Sequence, residues 1–335
     1  MCKFSATESQ NPETQKAMIT GIEKQEALLS DLSIQYRDLS KGYFGPESMT
    51  WQLYREPTIV LGSMRALLLQ IAHPAIAHGV AKFSNFEKDF AGRAHRTFLS
   101  MVRIWFGDIP TANNSARRLY TIHSMIRGQK VWETEDETIV NPFCATDPDL
   151  LFWVLATLVD TTLILFEKTV RKLSQGEQEQ FFEESKITAQ LMGIPLVAYP
   201  ENLEAFYIRY HQVITDGTLR LTEDGQAIKK ALFKVPYPIR RINEILAEGF
   251  LPNPTKNIFG FTPAKWFLNS LLWGARLTNR ITPDDLRYAP HYHQAMFRLA
   301  LSNSRTPRII ERIHYWLSTH INWYFISNKL TVKRT

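Results

Sequence analysis

The stretch that decides the fold is DPDLLFWVLATLVDTTLILFEKTVRK, residues 147–172. Asp147 is a residue type that caps helix N-termini, and Pro148 is favoured in a first helical turn. The apolar run from Leu150 to Phe166 is about one bilayer thickness long in residues, but Asp160 and three threonines interrupt its second half. We therefore predict a buried core helix rather than a transmembrane span. Because an unpaired carboxylate is costly in an apolar interior, we expect Asp160 to pair with an arginine or a helix terminus.

Helical spacing continues on both sides of this stretch, with no series of short alternating segments joined by Asn-Gly or Asp-Gly turns. His73-Pro74 predicts a helix break, Gly128 a helix C-cap, and Ser174 with Glu177 a capping box. The predicted helices include 61–72, 74–80, 87–106, 113–127, 175–192 and 201–213. Recurrent prolines predict short helices toward the C-terminus. The predicted fold class is therefore all-α, a multi-helix bundle.

The 335 residues can be accommodated around one core, which we divide into an N-terminal extension (1–40), a core (41–250) and a C-terminal helical cap (251–335). Pro252-Asn253-Pro254 is the candidate linker between the last two parts. Only two cysteines occur, Cys2 and Cys144, which excludes a disulfide scaffold and fits a reducing cytoplasm. The polar N-terminal stretch has the features of neither a secretory signal nor an anchor helix.

The formal charge of +6 is spread along the chain, with local basic groups that include the tail Lys329, Lys333 and Arg334. Solvated helix faces explain this surplus most simply, and an acidic partner or a peripheral membrane contact is the alternative. We predict no nucleic-acid partner. The sequence leaves the oligomeric state open.

Four residues are candidates for a ligand site. Arg93, Arg96 and Thr97 share one side of a predicted helix by spacing, and two arginines with a hydroxyl could bind ligand carboxylates. The same spacing also suits an exposed basic face. His123 lies on the next predicted helix among apolar residues, where a neutral imidazole can ligate a metal. A lone helical histidine is, however, more often a core or rim residue.

Other chemistry-bearing motifs are missing from the sequence. It contains no His-Glu-x-x-His, Cys-x-x-Cys-His, Gly-x-Gly-x-x-Gly or Gly-x-Ser-x-Gly pattern. Zinc proteolysis, covalent c-type haem, dinucleotide binding and serine hydrolysis are therefore not indicated. His291 and His293 flank one tyrosine, and we assign both to the surface.

Several short stretches occur together in an order and spacing that resemble a known family. They are LQIAHP (69–74), FSNF (83–86), RAHRT (93–97), His123 with RG (127–128), ATDP (145–148), LFWVLATLVD (151–160) and LMGIP (191–195) with Pro200. The chain resembles the catalytic domain shared by rubber oxygenases (latex-clearing proteins) and MpaB-type oxygenases. The resemblance covers about residues 64–210.

This resemblance implies a globin-like helical arrangement around a b-type haem pocket, with His123 as the proximal iron ligand. Arg93, Thr97 and Arg127 are the other expected haem contacts. The distal Arg-x-x-Lys-Thr pattern of the rubber-cleaving members falls on Arg93, Arg96 and Thr97, so an arginine replaces the lysine. A guanidinium stays protonated and ligates iron poorly, so Arg96 is expected to donate hydrogen bonds toward dioxygen or a haem propionate.

The function predicted from the resemblance is a haem b-dependent oxygenase in which Arg93, Arg96 and Thr97 are the catalytic residues. Dioxygen and a lipophilic substrate, such as a terpenoid or another alkene, would be its reactants, with oxidative C=C cleavage one outcome. The glutamate base of the polyisoprene cleavers has no counterpart between Gln70 and Phe86, which argues against rubber cleavage. The alternatives are a non-catalytic helical module that binds an apolar ligand or a membrane surface, and a haem sensor.

Overall fold

A computed structural model describes residues 12–320, apart from residues 37, 85, 87 and 88 and the stretches 134–137 and 262–264. Cys2 and the basic tail formed by Lys329, Lys333 and Arg334 lie outside the described residues. The first half of the described chain contains α1 (Pro12–Ile34), α2 (Met49–Tyr54), a 3₁₀ turn (Pro57–Gly62), α3 (Ser63–Ala72), α4 (Pro74–Phe83), α5 (Phe90–Phe106), α6 (Ile109–Ser124), β1 (Arg127–Glu133) and β2 (Thr138–Cys144).

The second half is helical in all its regular elements within the described ranges. They are α7 (Pro148–Thr169), α8 (Gln175–Met192), a 3₁₀ turn (Leu196–Ala198), α9 (Leu203–Thr215), α10 (Glu223–Leu232), α11 (Ile239–Phe250), α12 (Asn253–Phe259), α13 (Lys265–Ile281), α14 (Asp284–Arg287), α15 (Pro290–Ser302) and α16 (Ile309–His320). The predicted all-α fold class is confirmed.

One antiparallel hairpin departs from the prediction. β1 pairs with β2 so that Arg127 lies opposite Cys144. The helix predicted to run to residue 127 ends instead at Ser124, so Gly128 lies in β1 and the predicted helix C-cap at this glycine is wrong. The strand sequences RGQKVWE and TIVNPFC are rich in β-branched and aromatic residues, which favours extended backbone here.

Helix α7 occupies the centre of the fold, as predicted. It is long and apolar enough to cross a membrane by length and composition, but 72% of its most apolar window is buried within the protein. The side chains of Phe152 and Trp153 belong to the largest hydrophobic cluster. The indole nitrogen of Trp153 donates to the Leu69 carbonyl (3.0 Å), and its ring stacks on Tyr210. The interpretation of α7 as a core helix is confirmed.

Asp160 forms the predicted pairing with an arginine. The guanidinium of Arg65, on α3, is only 2% exposed and donates to the Asp160 carboxylate. The same guanidinium donates to Thr161 Oγ1, to Tyr210 Oη (3.1 Å) and to the Phe250 carbonyl (2.8 Å). This network joins α3, α7, α9 and the end of α11 through one buried cation.

His73-Pro74 breaks the helix where the sequence predicts. His73 has extended backbone angles, and α4 leaves α3 at a bend of 99°. A helix end exposes carbonyls that need donors. Trp153 Nε1 donates to Leu69, and the Arg220 amide donates to the Ala72 carbonyl (2.8 Å). The break is thus stabilised by two elements that are distant in sequence.

The N-terminal and C-terminal parts of the described chain both contact the centre. Leu29 and Leu32 of α1 are buried in the cluster that contains Trp51. Pro252 is the N-cap of α12, Asn253 and Pro254 are the first residues of this helix, and its Phe259 belongs to the main core. The division at residues 40 and 250 stays a prediction.

The surface assignment of His291 and His293 is wrong. His293 is fully buried, and the ring of His314 on α16 stacks on it at 4.4 Å. His291 is partly buried, and its Nε2 lies 3.1 Å from the Tyr54 carbonyl. Burial lowers the pKa of both rings to about 4. Packing of α15 against α16 and α2, which spacing alone does not reveal, accounts for the difference.

Candidate functional site

The candidate site is built on a helical hairpin formed by α5 and α6. Asp89 caps α5 by accepting from the Gly92 amide (3.1 Å), and Asp108 caps α6 by accepting from the Thr111 amide (2.8 Å). The connection between the helices is only Gly107 and Asp108. Such a short connection makes the helices antiparallel neighbours, so the start of α5 lies beside the end of α6.

The closed end of this hairpin is anchored in the core. The ring of Trp105 stacks on Tyr54 at 3.7 Å, and its Nε1 lies 3.3 Å from Thr188 Oγ1. Arg298 of α15, itself buried, donates to the Phe106 carbonyl at the last residue of α5 (3.0 Å). The position of the two helices is therefore fixed at one end, and the predicted site residues lie at the other.

His123 and Arg93 come together at the open end. His123 is partly buried near the end of α6. Burial first, and then the positive charge of Arg93 on α5, lower the pKa of the His123 imidazole to about 4. The ring is therefore neutral at neutral pH, which is the form that ligates metals. Within the described part of the chain, no hydrogen bond contributes to that pKa.

The other predicted site residues lie in different environments. Arg96 is exposed, and its Nη1 donates to the Asp89 carboxylate (2.9 Å) at the start of its own helix. Thr97 is also exposed. Arg127 lies just beyond α6, where its Nε donates to the Ser124 carbonyl (2.9 Å). Arg93 is thus the residue of the α5 triplet whose positive charge lowers the pKa of His123.

Sequence reasoning missed a histidine and carboxylate pair on the neighbouring helix α4. His78 Nδ1 and Asp224 Oδ2 lie 2.9 Å apart, so the carboxylate accepts a hydrogen bond from this ring nitrogen. His78 Nε2 is buried and has no hydrogen-bond partner among the described residues. A carboxylate that orients a histidine in this way is typical of metal-binding and proton-transfer sites. The two residues are 146 positions apart, so no local pattern could have revealed the pair.

Helix α4 closely approaches the segment that follows His123. A Cβ placed on Gly79 would lie 3.5 Å from the side chains of Ile126 and Phe143. The His78 ring also contacts the ring of Phe143 edge to face, with centroids 5.5 Å apart. Helix α4, the start of the β1–β2 hairpin and the end of α6 therefore pack together beside the candidate site.

Comparison with known proteins identifies the family. The family described as ER-bound oxygenase mpaB/B'/rubber oxygenase, catalytic domain, matches residues 51–281. The chain belongs to this family. No curated protein and no solved structure matches the chain.

The matched region of this oxygenase-family domain runs from α2 to the end of α13. It includes both helices of the candidate site, the His78 and Asp224 pair, and the central helix α7. It also crosses the predicted boundary at residue 250. Family membership supports an oxygenase role, and therefore an oxidoreductase.

The neutral imidazole of His123 is a donor of the kind that binds haem iron. Within the described residues, no group of three or more His, Cys, Asp or Glu side chains could hold a metal ion. Iron in b-type haem already has four nitrogen ligands from the porphyrin and needs only an axial ligand from the protein. A single neutral imidazole such as His123 meets that requirement.

A ligand-sized cleft adjoins the helix that carries His123. Its volume is about 930 Å³, within the range of small-molecule sites. Tyr120, one turn before His123, forms part of its wall opposite Gln25 and Leu28 of α1. Gln25 is 2% exposed and donates to the Leu191 carbonyl (3.0 Å), while its Oε1 has no partner among the described residues. Lys16, Lys24 and Asp31 also line the cleft, which therefore combines apolar wall atoms with charged groups.

Proposed function

We propose that this protein is a haem b-dependent oxygenase that acts with dioxygen on a lipophilic substrate such as a terpenoid or another alkene. The observation that carries the proposal is the environment of His123. Its imidazole is partly buried, is kept neutral by burial and by Arg93, and lies within the matched oxygenase domain. Neutral imidazole is a common axial ligand of haem iron.

The roles of the surrounding residues follow from their positions. His123 would hold the iron, and bound haem would supply the redox chemistry that no side chain of this domain provides. Arg93 lies near enough to His123 for its positive charge to act on the imidazole. It would therefore pair with a carboxylate of the ligand that His123 holds. Arg127, close to the end of α6, would contact the same ligand edge.

Arg96 and Thr97 would act from the exposed side of α5. Arg96 donates to Asp89 in this structure, so binding dioxygen or a propionate requires it to exchange that partner. The pair is exposed, and such ion pairs contribute only about 0–1 kcal/mol, so the exchange is inexpensive. We propose that ligand binding draws Arg96 away from the helix cap, with Thr97 as a second hydrogen-bond donor.

His78 is the group we propose to hold a proton in the reaction. Its Nδ1 is engaged by Asp224, and its buried Nε2 has no partner among the described residues. It lies between residues 70 and 86, where the sequence contains no acidic side chain. A basic nitrogen is therefore available in a segment that lacks a carboxylate base.

The cleft beside Tyr120 is the space we propose for the lipophilic substrate. Leu28, Ala27, Pro148 and Pro195 contribute apolar wall atoms, and Lys16 and Lys24 could donate hydrogen bonds to a polar group of the substrate. We propose oxidative C=C cleavage as the reaction outcome to be tested first, with product mass and oxygen uptake as the readouts.

The experiment that tests haem binding is an absorption spectrum of protein made under haem-replete conditions. We expect the wild type to show a Soret band and His123→Ala to lose most of it. His211→Ala is the matched control, because His211 is an exposed helical histidine on α9. Thermal melts would establish that both variants are folded.

Three outcomes would overturn the proposal. A Soret band of equal intensity in wild type and His123→Ala would assign the iron to another ligand. A folded wild type that binds apolar ligands but takes up no haem would support the non-catalytic helical module. Haem binding without oxygen uptake over a panel of terpenoids would support a haem sensor.

A further inference from the structure

Helix α13 exposes an unusually apolar outer face. Trp266 is 79% exposed, Trp273 66% and Ile281 68%, and Leu277 is also exposed. With 3.6 residues per turn, these four side chains fall within about 80° of arc around the helix. We call Trp266, Trp273, Leu277 and Ile281 the outer stripe. Large apolar side chains grouped in this way on a surface mark an interaction site.

The outer stripe is not a displaced part of the core. The opposite face of α13 already packs inward, where Leu268, Leu271 and Leu272 contact the cluster formed by α7 and α11. Asn279, also on the inner face, donates to the Thr169 carbonyl (3.0 Å). The helix is therefore seated on the protein and presents a second apolar surface outward.

Positive charges lie along one edge of the outer stripe. Lys265, Arg276 and Arg280 fall on the same flank by helical spacing, and α13 contains no acidic residue. The region 265–320 contains eight Lys or Arg residues against three Asp or Glu, in a chain whose formal charge is +6. The segment that begins with α13 is therefore basic, although Arg287 and Arg308 are engaged in ion pairs and Arg298 is buried.

Helix α16 repeats the pattern close by. Ile309 is 76% exposed, Ile313 47% and Trp316 53%, and their spacings of four and three residues place them on one face of α16. An ion pair between Arg308 and Asp285 (2.8 Å) ties the start of α16 to α14, and α14 follows α13 after two residues. Helix α16 thus carries a second apolar stripe and is tied to α14, the element that follows α13 in the chain.

We propose that the outer stripe of α13, assisted by α16, docks on an anionic lipid bilayer. An amphipathic helix with tryptophans on one face and cations at the edge lies in the plane of the membrane interface, where indoles prefer to be. The adjacent cations add attraction to anionic headgroups. Charge complementarity favours this occupant over a second copy of the same basic surface, which would be repelled. The docking does not depend on haem.

Vesicle flotation of the full chain tests the proposal. The probes are unilamellar vesicles of phosphatidylcholine alone and of phosphatidylcholine with 30 mol% phosphatidylserine. We expect binding to the anionic vesicles that weakens as salt rises, and little binding to the neutral ones. Trp266→Ser/Trp273→Ser should weaken binding at least about tenfold, because two exposed indoles lose their burial in the interface. Lys265→Gln/Arg280→Gln should weaken it about 25-fold, at roughly fivefold per charge.

The matched control is Val197→Ser/Ile208→Ser, which removes two exposed apolar residues (95% and 65% exposed) away from α13 and α16 and should leave binding unchanged. Equal binding of wild type and Trp266→Ser/Trp273→Ser would overturn the proposal. Equal binding to neutral and anionic vesicles would do the same. Absence of vesicle binding together with a dimer that Trp266→Ser/Trp273→Ser dissociates in sedimentation would assign the surface to self-association instead.

Discussion

Replacing Asp160 by alanine is expected to destabilise the fold strongly. The Arg65 guanidinium, 2% exposed, would lose its carboxylate and remain buried with hydroxyl and carbonyl partners only. Removing one partner of a buried ion pair costs about 3–5 kcal/mol, because the remaining charge is uncompensated. The Tyr210 hydroxyl, which accepts from the same guanidinium (3.1 Å), would be left beside the uncompensated charge. We therefore expect a loss at the upper part of that range.

Urea unfolding followed by circular dichroism at 222 nm would measure this loss. The double variant Arg65→Met/Asp160→Ala should be more stable than Asp160→Ala alone, since it removes the uncompensated cation. Arg171→Met is the surface control: Arg171 pairs with Glu177 while about half exposed, so its loss should change stability by no more than about 1 kcal/mol. A cost below about 1 kcal/mol for Asp160→Ala would refute the assigned role of the network.

Two further changes test burial at other positions. Burial lowers the pKa of His293 to about 4, so on acidification the unfolded chain takes up a proton at this ring before the folded protein does. The stability contributed by the neutral ring is therefore fully present above about pH 6.5 and is lost as the pH falls toward 4. At pH 5 the loss of unfolding free energy is about 1–2 kcal/mol. The difference in unfolding free energy between pH 7.5 and pH 5 should therefore be smaller by this amount in His293→Leu than in the wild type. Equal differences in the two proteins would contradict the burial of His293. Trp153→Phe should lower the unfolding free energy by about 1–3 kcal/mol, because the Leu69 carbonyl near the end of α3 loses its buried donor. An unchanged unfolding free energy in urea would show that another donor replaces the indole.

Local sequence signals predicted much of the helical framework. Asp147, Pro148 and the apolar run after them define α7 almost to its last turn. Ser174 and Glu177 form the predicted capping box in full at the start of α8. These signals succeed because caps and proline act on their own turn of the chain.

Features that depend on distant contacts could not be predicted in the same way. Spacing placed Arg93 and Arg96 on one side of α5, but only the position of α6 decides that Arg93 acts on His123. Arg96 instead pairs with the Asp89 cap. The burial of His293 depends on α16. Tertiary packing, which periodicity does not encode, decides each of these cases.

The central claim is that the His123 imidazole binds haem iron, and a haem titration of His123→Gly with and without added imidazole tests it most directly. A glycine removes the ligand and leaves space in which free imidazole can replace it. We expect the variant to bind haem weakly without imidazole and to regain the wild-type Soret maximum when imidazole is added. Wild-type haem affinity and spectrum in His123→Gly without imidazole would contradict it.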